Sequence, residues 1–288
     1  MKKKILALAA VCAVLAAAGC TNNGQAGGTT AAATTTTAAT TTEAATEAPE
    51  TTTTTEAETT TAAETEAPAA DNAVMSYSEF IAADIDSPVT IETFIQAKQS
   101  WWENEGVGNA SFYAVTPGDG GYFLYNMPCT KEEYDLLTPG TNVRVSGYKA
   151  EWSGEIEIID STFEILEGMA FTANAQDVTD LLGNEEALIQ HQNDFVSFKG
   201  MTVEAYGEDG AVFNYKYDNS GTEGDDLYFK VSKDGNSYTF TVESYLCGPD
   251  TDVYQAVKSL NVGDVIDLEG FLYWYNGANP HITKITKA

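Results

Sequence analysis

The chain has 288 residues, 43 of them acidic and 14 basic, for a formal net charge of −29. Three lysines fall in residues 1–20 and eight acids in residues 21–72, so the rest carries 35 acidic against 11 basic side chains, a net of −24. Binding to a phosphate backbone depends on lysine and arginine displacing counterions, and this part of the chain holds one arginine, Arg144, so the balance sets nucleic acid aside as a ligand.

Residues 1–19 read as a secretory signal. Lys2, Lys3 and Lys4 precede an uncharged apolar run from Ile5 to Ala18, then Gly19 and Cys20. The run is shorter than the roughly 20 residues a membrane-spanning helix needs. Leu15-Ala16-Ala17-Ala18-Gly19-Cys20 resembles the bacterial lipobox, with Ala17 where that motif usually has leucine. The resemblance implies cleavage before Cys20 and attachment of acyl chains such as palmitate to it, leaving the protein lipid-anchored on the extracellular face of the cell membrane. An ordinary secretory signal that leaves Cys20 as a free thiol is the alternative.

Residues 20–72 are expected to form a disordered stalk. From Thr21 to Asn72 the chain is almost all Thr, Ala and Glu, with Pro49 and Pro68 and neither an aromatic nor a basic residue. Such a segment buries too little apolar surface to offset its ordering entropy. As a flexible coil it would span about 40 Å, enough for a spacer, and its composition suits O-glycosylation.

The remainder, divided at residues 73–168 and 169–288, reads as two copies of one unit. In the first, the strand-like Gly121-Tyr122-Phe123-Leu124-Tyr125 leads to Cys129, then to a short helix, Gly140, Gly147 and Trp152. In the second, Tyr238 to Leu246 leads to Cys247, then to a helix over Asp252 to Leu260, Gly263, Gly270 and Trp274. The two glycines stand seven positions apart in both. Cys129 and Cys247 are expected to be separately buried thiols, a disulfide between them being the alternative.

Within the units the periodicity is mostly β. Val89, Ile91 and Thr93 alternate with polar neighbours, as do Val143, Val145 and Gly147, and Glu155 to Ile158. Ser76 to Glu79 and Thr130 to Glu133 have capping-box spacing and open short helices. Three strands, a helix and two strands is the order of the oligonucleotide/oligosaccharide-binding (OB) barrel, so the expected fold is all-β with short helices: two tandem five-stranded OB-like barrels after a disordered linker. Tyr125-Asn126-Met127-Pro128-Cys129, Leu137-Thr138-Pro139-Gly140 and Gly147 to Gly154 resemble uncharacterised bacterial OB-fold-like surface lipoproteins. That resemblance implies fold and location and brings no activity with it.

OB barrels hold ligands across strands two and three, between the loop joining strands one and two and the loop joining strands four and five. Trp101 and Trp102 fall in the first of these loops and Trp152 in the second. Tyr273, Trp274 and Tyr275 fall in the late loop of the second unit, whose early loop, Gly207 to Gly210, reads as short and bare. With Tyr122 and Tyr125 these make the candidate ligand-binding set, since amphipathic rings suit stacking on sugar faces and anchoring protein contacts. Packing of the same rings on a barrel end or between the two domains is equally open.

No catalytic set emerges. His191 and His281 have no partner in sequence and read as surface residues, and Trp152-Ser153-Gly154 lacks the context of a nucleophile elbow. The acidic run from Asp218 to Asp226 lacks EF-hand spacing and reads as a solvated turn rather than a calcium site. The expectation is a binding protein without enzymatic activity, cofactor or metal, whose partner is a carbohydrate, peptide or protein. A structural or assembly component of the cell envelope is the alternative, followed by a polysaccharide hydrolase using a carboxylate pair.

Overall fold

The computed structural model describes residues 73–207 and 210–287; the expected signal peptide, Cys20 and the Thr-rich stalk lie outside the described residues. The first barrel begins with helix α1 (Tyr77–Ala82) and continues through β1 (Pro88–Lys98), β2 (Trp102–Asn104), β3 (Val107–Val115), β4 (Gly121–Pro128), α2 (Lys131–Leu136), β5 (Asn142–Trp152) and β6 (Glu155–Ile165). The second runs β7 (Gln176–Asp177), a 3-10 turn at Thr179–Leu181, α3 (Glu185–Leu188), a second 3-10 turn at Ile189–His191, β8 (Phe195–Glu204), β9 (Phe213–Tyr215), β10 (Leu227–Lys233), β11 (Asn236–Val242), α4 (Asp252–Lys258), β12 (Val265–Phe271) and β13 (His281–Lys287).

Both sheets close in the same way. The first has the order β1-β5-β6-β4-β3 and returns from β3 to β1; the second has β8-β12-β13-β11-β10 and returns from β10 to β8. In each, the third and fifth principal strands run parallel, β4 with β6 and β11 with β13, while the other principal pairings are antiparallel. This is OB topology, with the short strands β2 and β9 added in the early loops. A register shift between Ile95 and Ala97 lets β1 pair with β5 along its first half and with β3 along its second, which closes the first barrel.

The repeat has a physical reading. Gly140 and Gly263 lie at φ of 94° and 91° in the turns that lead into β5 and β12, a region glycine enters without steric cost. Gly147 and Gly270 face their neighbouring strands so closely that a Cβ would lie 2.7 Å from the Ile159 carbonyl oxygen and 2.2 Å from that of His281. Cys129 and Cys247 are free, and each is buried in the core of its own barrel. Both expected capping boxes are present, on α1 and α2.

The early loop of the second barrel corrects the sequence reading. It runs from Glu204 to Leu227, contains β9, and carries Tyr206 and Tyr217 beside Tyr228 of β10. The acidic run folds onto α4: the Tyr254 hydroxyl accepts from Gly224 N–H and donates to the Asp225 carbonyl, and Lys258 pairs with Glu223. A local composition of Gly, Asp and Asn reads as a turn and says nothing of the helix waiting to receive it.

Candidate functional site

The outward face of β3 and β4, where an OB barrel would hold its ligand, is covered in the first barrel by the second. Alternation along β3 points Ala110, Phe112 and Ala114 inward, while Tyr113 points out; on β4 Tyr122 and Leu124 point inward and Phe123 and Tyr125 out. Tyr113 stacks on Phe271 at 4.2 Å, and its hydroxyl meets His281 Nδ1 at 2.9 Å. Phe123 meets Tyr273 edge-on at 5.5 Å, and Tyr273 stacks on His281 at 4.4 Å. Gly121 abuts the Asn193 backbone, where a Cβ would lie 2.2 Å from the carbonyl oxygen.

Polar groups fasten the two ends of this seam. At one end Trp274 N–H and the Gln192 side chain donate to Glu155 Oε2, at 2.8 and 3.1 Å, while Glu155 Oε1 is buried without a partner. Burial pushes the Glu155 carboxyl up to about 8, against the pull of those donors. Asn276 N–H donates to the Ser153 carbonyl beside it. At the other end Ser100 N–H donates to the Tyr245 carbonyl at 2.7 Å, and the Gln99 side chain donates to Glu243 Oε2 at 3.0 Å.

Where the seam opens lies a cleft of about 510 Å³. Buried Phe123 and His281 form its deep end with half-buried Tyr273, and Trp102, Tyr125 and Tyr245 stand exposed around it. Its hydrogen-bonding groups come from Gln99, Ser100, Asn126 and Glu243. Tyr245 and Leu246 N–H groups donate to the Glu243 carboxylate, yet burial and the nearby Asp226 raise it to about 7. Burial holds His281 down to about 3, so its ring is neutral. Aromatic faces set beside amides and one carboxylate suit a ligand with an apolar face and hydroxyl or amine edges.

The structure brings three of the eight sequence candidates, Trp102, Tyr125 and Tyr273, into this cleft. Trp101 is half-buried on the first barrel's core, its ring N–H donating to the Cys129 carbonyl, and Tyr122 lies inside that core. Trp274 is buried in the second barrel's core, and a Cβ on Gly154 would lie 2.8 Å from its ring. Trp152 and Tyr275 are exposed outside the cleft. These placements correct Tyr122 and Trp274 as ligand-contacting rings, because a strand's inward positions and a docked loop leave no free ring face. His281 is likewise corrected from a surface residue to a buried one, since the first barrel covers it.

Sequence reasoning missed Gln99, Asn126, Glu243 and Tyr245. A signal was available in the repeat, since Tyr125 and Glu243 each stand four residues before the paired cysteines, and both segments line the cleft. Neither cysteine is poised as a nucleophile, because burial raises the two thiols to about 11 and about 12. Among the described residues no group of three or more His, Cys, Asp or Glu is placed to hold a metal ion.

No family model and no curated protein matches this chain. Solved structures similar to it include a murine DNA-binding protein bound to double-stranded DNA, at 13% identity over 70% of this chain and 100% of that one, with a TM-score of 0.32. A replication protein A heterotrimer bound to single-stranded DNA has 14% identity over 68% of this chain and 49% of that one, with a TM-score of 0.30. The single-stranded DNA-binding protein from Thermus aquaticus has 12% identity over 71% and 94%, with a TM-score of 0.24. Scores this low carry no ligand over to this chain. All three bind DNA, and this finding stands against the expectation, drawn from charge alone, that nucleic acid is not a partner.

Proposed function

We propose that the protein is a non-catalytic binding protein, held on the extracellular face of the cell membrane by acyl chains on Cys20, and that its inter-barrel cleft takes a carbohydrate. The observation that supports this reading is the ring of Trp102, Tyr125, Tyr245 and Tyr273 around the amides of Gln99 and Asn126. Flat rings cover the C–H faces of a sugar while amides beside them read its hydroxyls, and the packed seam sets the two next to each other. A protein or peptide segment bearing polar side chains is the second reading, favoured by the exposed Trp152 and Tyr275 of the late loops.

The test is a screen of the mature chain against glycans, soluble polysaccharides, peptides and single-stranded oligonucleotides. Sugar binding lost in Trp102→Ala and Tyr245→Ala and kept in Trp152→Ala supports the cleft reading. Binding of a sugar that survives both cleft substitutions overturns it, and an oligonucleotide or peptide that binds in place of sugars replaces the ligand class. Cys20→Ala is expected to move the chain from the membrane fraction to the soluble one, because stable attachment needs the paired acyl chains.

A further inference from the structure

The charge inside the cleft points further than its shape. Of the side chains that line it, none is lysine or arginine, and the one histidine, His281, is buried with its Nδ1 engaged by the Tyr113 hydroxyl. The remaining ionisable acid is Glu243, 8% exposed. Among the described residues it makes no ion pair, although carboxylates elsewhere on the surface pair with Lys131, Arg144, Lys258, Lys284 and Lys287. Three donors reach it, two at Oε2 and one at Oε1. A carboxylate accepts about four hydrogen bonds, so Oε1 keeps a free lone pair at the cleft. Its proton affinity is raised, which means these neutral donors do not make up for lost water.

The rings add the same sign. An aromatic face carries negative quadrupole density and attracts a cation within about 6 Å of its centroid, most strongly for tryptophan. An anionic ligand would meet Glu243 and the ring faces with nothing to balance them, and a neutral one would leave Glu243 to be neutralised by a proton alone. Resting on the reading of this cleft as the binding site, we infer that the group it recognises is an organic ammonium, enclosed by Trp102, Tyr125, Tyr245 and Tyr273 and paired with the Glu243 carboxylate.

Two sources present that group: a sugar with a free amine and a trimethylammonium headgroup. Titrating the mature chain at neutral pH with glucosamine oligomers, with their N-acetylated counterparts and with choline separates them, read by calorimetry. The expected result is that at least one cation binds about tenfold or more tighter than the N-acetylated sugar, and that Glu243→Gln removes about that factor. Choline alone binding supports the ammonium and overturns the carbohydrate reading. Equal binding of free and N-acetylated oligomers, abolished by Trp102→Ala, overturns the ammonium and leaves the carbohydrate reading in place. No binding of any of the three overturns the ammonium and leaves the carbohydrate reading to the wider glycan screen. The comparison of amine with N-acetyl uses the unaltered chain, so it decides the matter even where Glu243→Gln unfolds, which a thermal melt would reveal.

Discussion

The two barrels share one topology, and their matching tryptophans have opposite fates. Trp152 follows Gly147 by five residues at the end of β5 and is 59% exposed, beside a tight turn at Ser153 and Gly154. Trp274 follows Gly270 by four and is 5% exposed, its backbone tied to Glu155 and its ring against Gly154. The lesson is that duplication supplies equivalent aromatics in pairs, and docking of the copies then consumes one of a pair and frees the other. The contrast is sharpest in Trp274→Ala, expected to cost about 3–5 kcal/mol in chemical denaturation because it empties a packed site. Trp152→Ala is expected to stay within about 0.5 kcal/mol. Equal costs would break the comparison.

The seam itself should respond to pH. Burial raises Glu155 to about 8 and Glu157 and Glu243 to about 7, from an ordinary 4.5. Each keeps in the folded chain a proton that the unfolded chain releases above about 4.5, so stability falls as pH rises from there towards 8. His281, held near 3 from an ordinary 6.5, works in the opposite sense: the unfolded chain takes up its proton first, and stability falls as pH drops from 6.5 to 3. The two slopes oppose each other between 4.5 and 6.5, and above 6.5 the carboxylates act alone. Glu155→Gln copies the protonated form and is expected to raise stability at pH 8 by a few kcal/mol, since each tenfold change in proton affinity on folding is worth about 1.36 kcal/mol, with little change at pH 5. Denaturation curves at the two pH values check this.

Tyr113→Phe removes less. It keeps the stack on Phe271 and strips the hydroxyl from His281 Nδ1, leaving a buried nitrogen unpaired. A loss of about 1–2 kcal/mol is expected, read from chemical denaturation.

Much of this was legible in the sequence, for reasons that are local. The Thr130 and Ser76 boxes, the alternation of β1 and β5 and the spaced glycines each record a backbone event within a few residues, and together they specify the strand order. The seam is not local, since alternation tells which side of a strand faces its own barrel and is silent on what covers the other side. One trace was present: Ser111 to Val115 and Tyr122 to Tyr125 read as unbroken runs instead of alternating, the pattern of strands buried on both faces. For Glu243 the only trace was its place four residues before Cys247, matching Tyr125, and its meaning depends on Gln99 and Trp102 of the other barrel.

The smallest expected effect separates two helices with the same cap. Both α1 and α2 open with a reciprocal capping box, so Ser76→Ala and Thr130→Ala remove equivalent bonds, each worth about 1 kcal/mol. What lies beyond the cap differs. Helix α1 buries Phe80 against Tyr122, and buried Lys149 donates from Nζ to the carbonyls of Phe80, Ile81 and Ala83, closing the helix at its other end. Helix α2 has no fully buried residue and a single lysine, Lys98, donating to its Tyr134 carbonyl. A six-residue helix is far below the length that holds itself together, so packing decides what happens when the cap is lost. Thr130→Ala should therefore fray α2 locally, seen as faster amide exchange at Glu133 and Tyr134. Ser76→Ala should speed α1 exchange only by the factor that the lowered global stability gives the whole barrel, because that helix opens with the core in which Phe80 is buried.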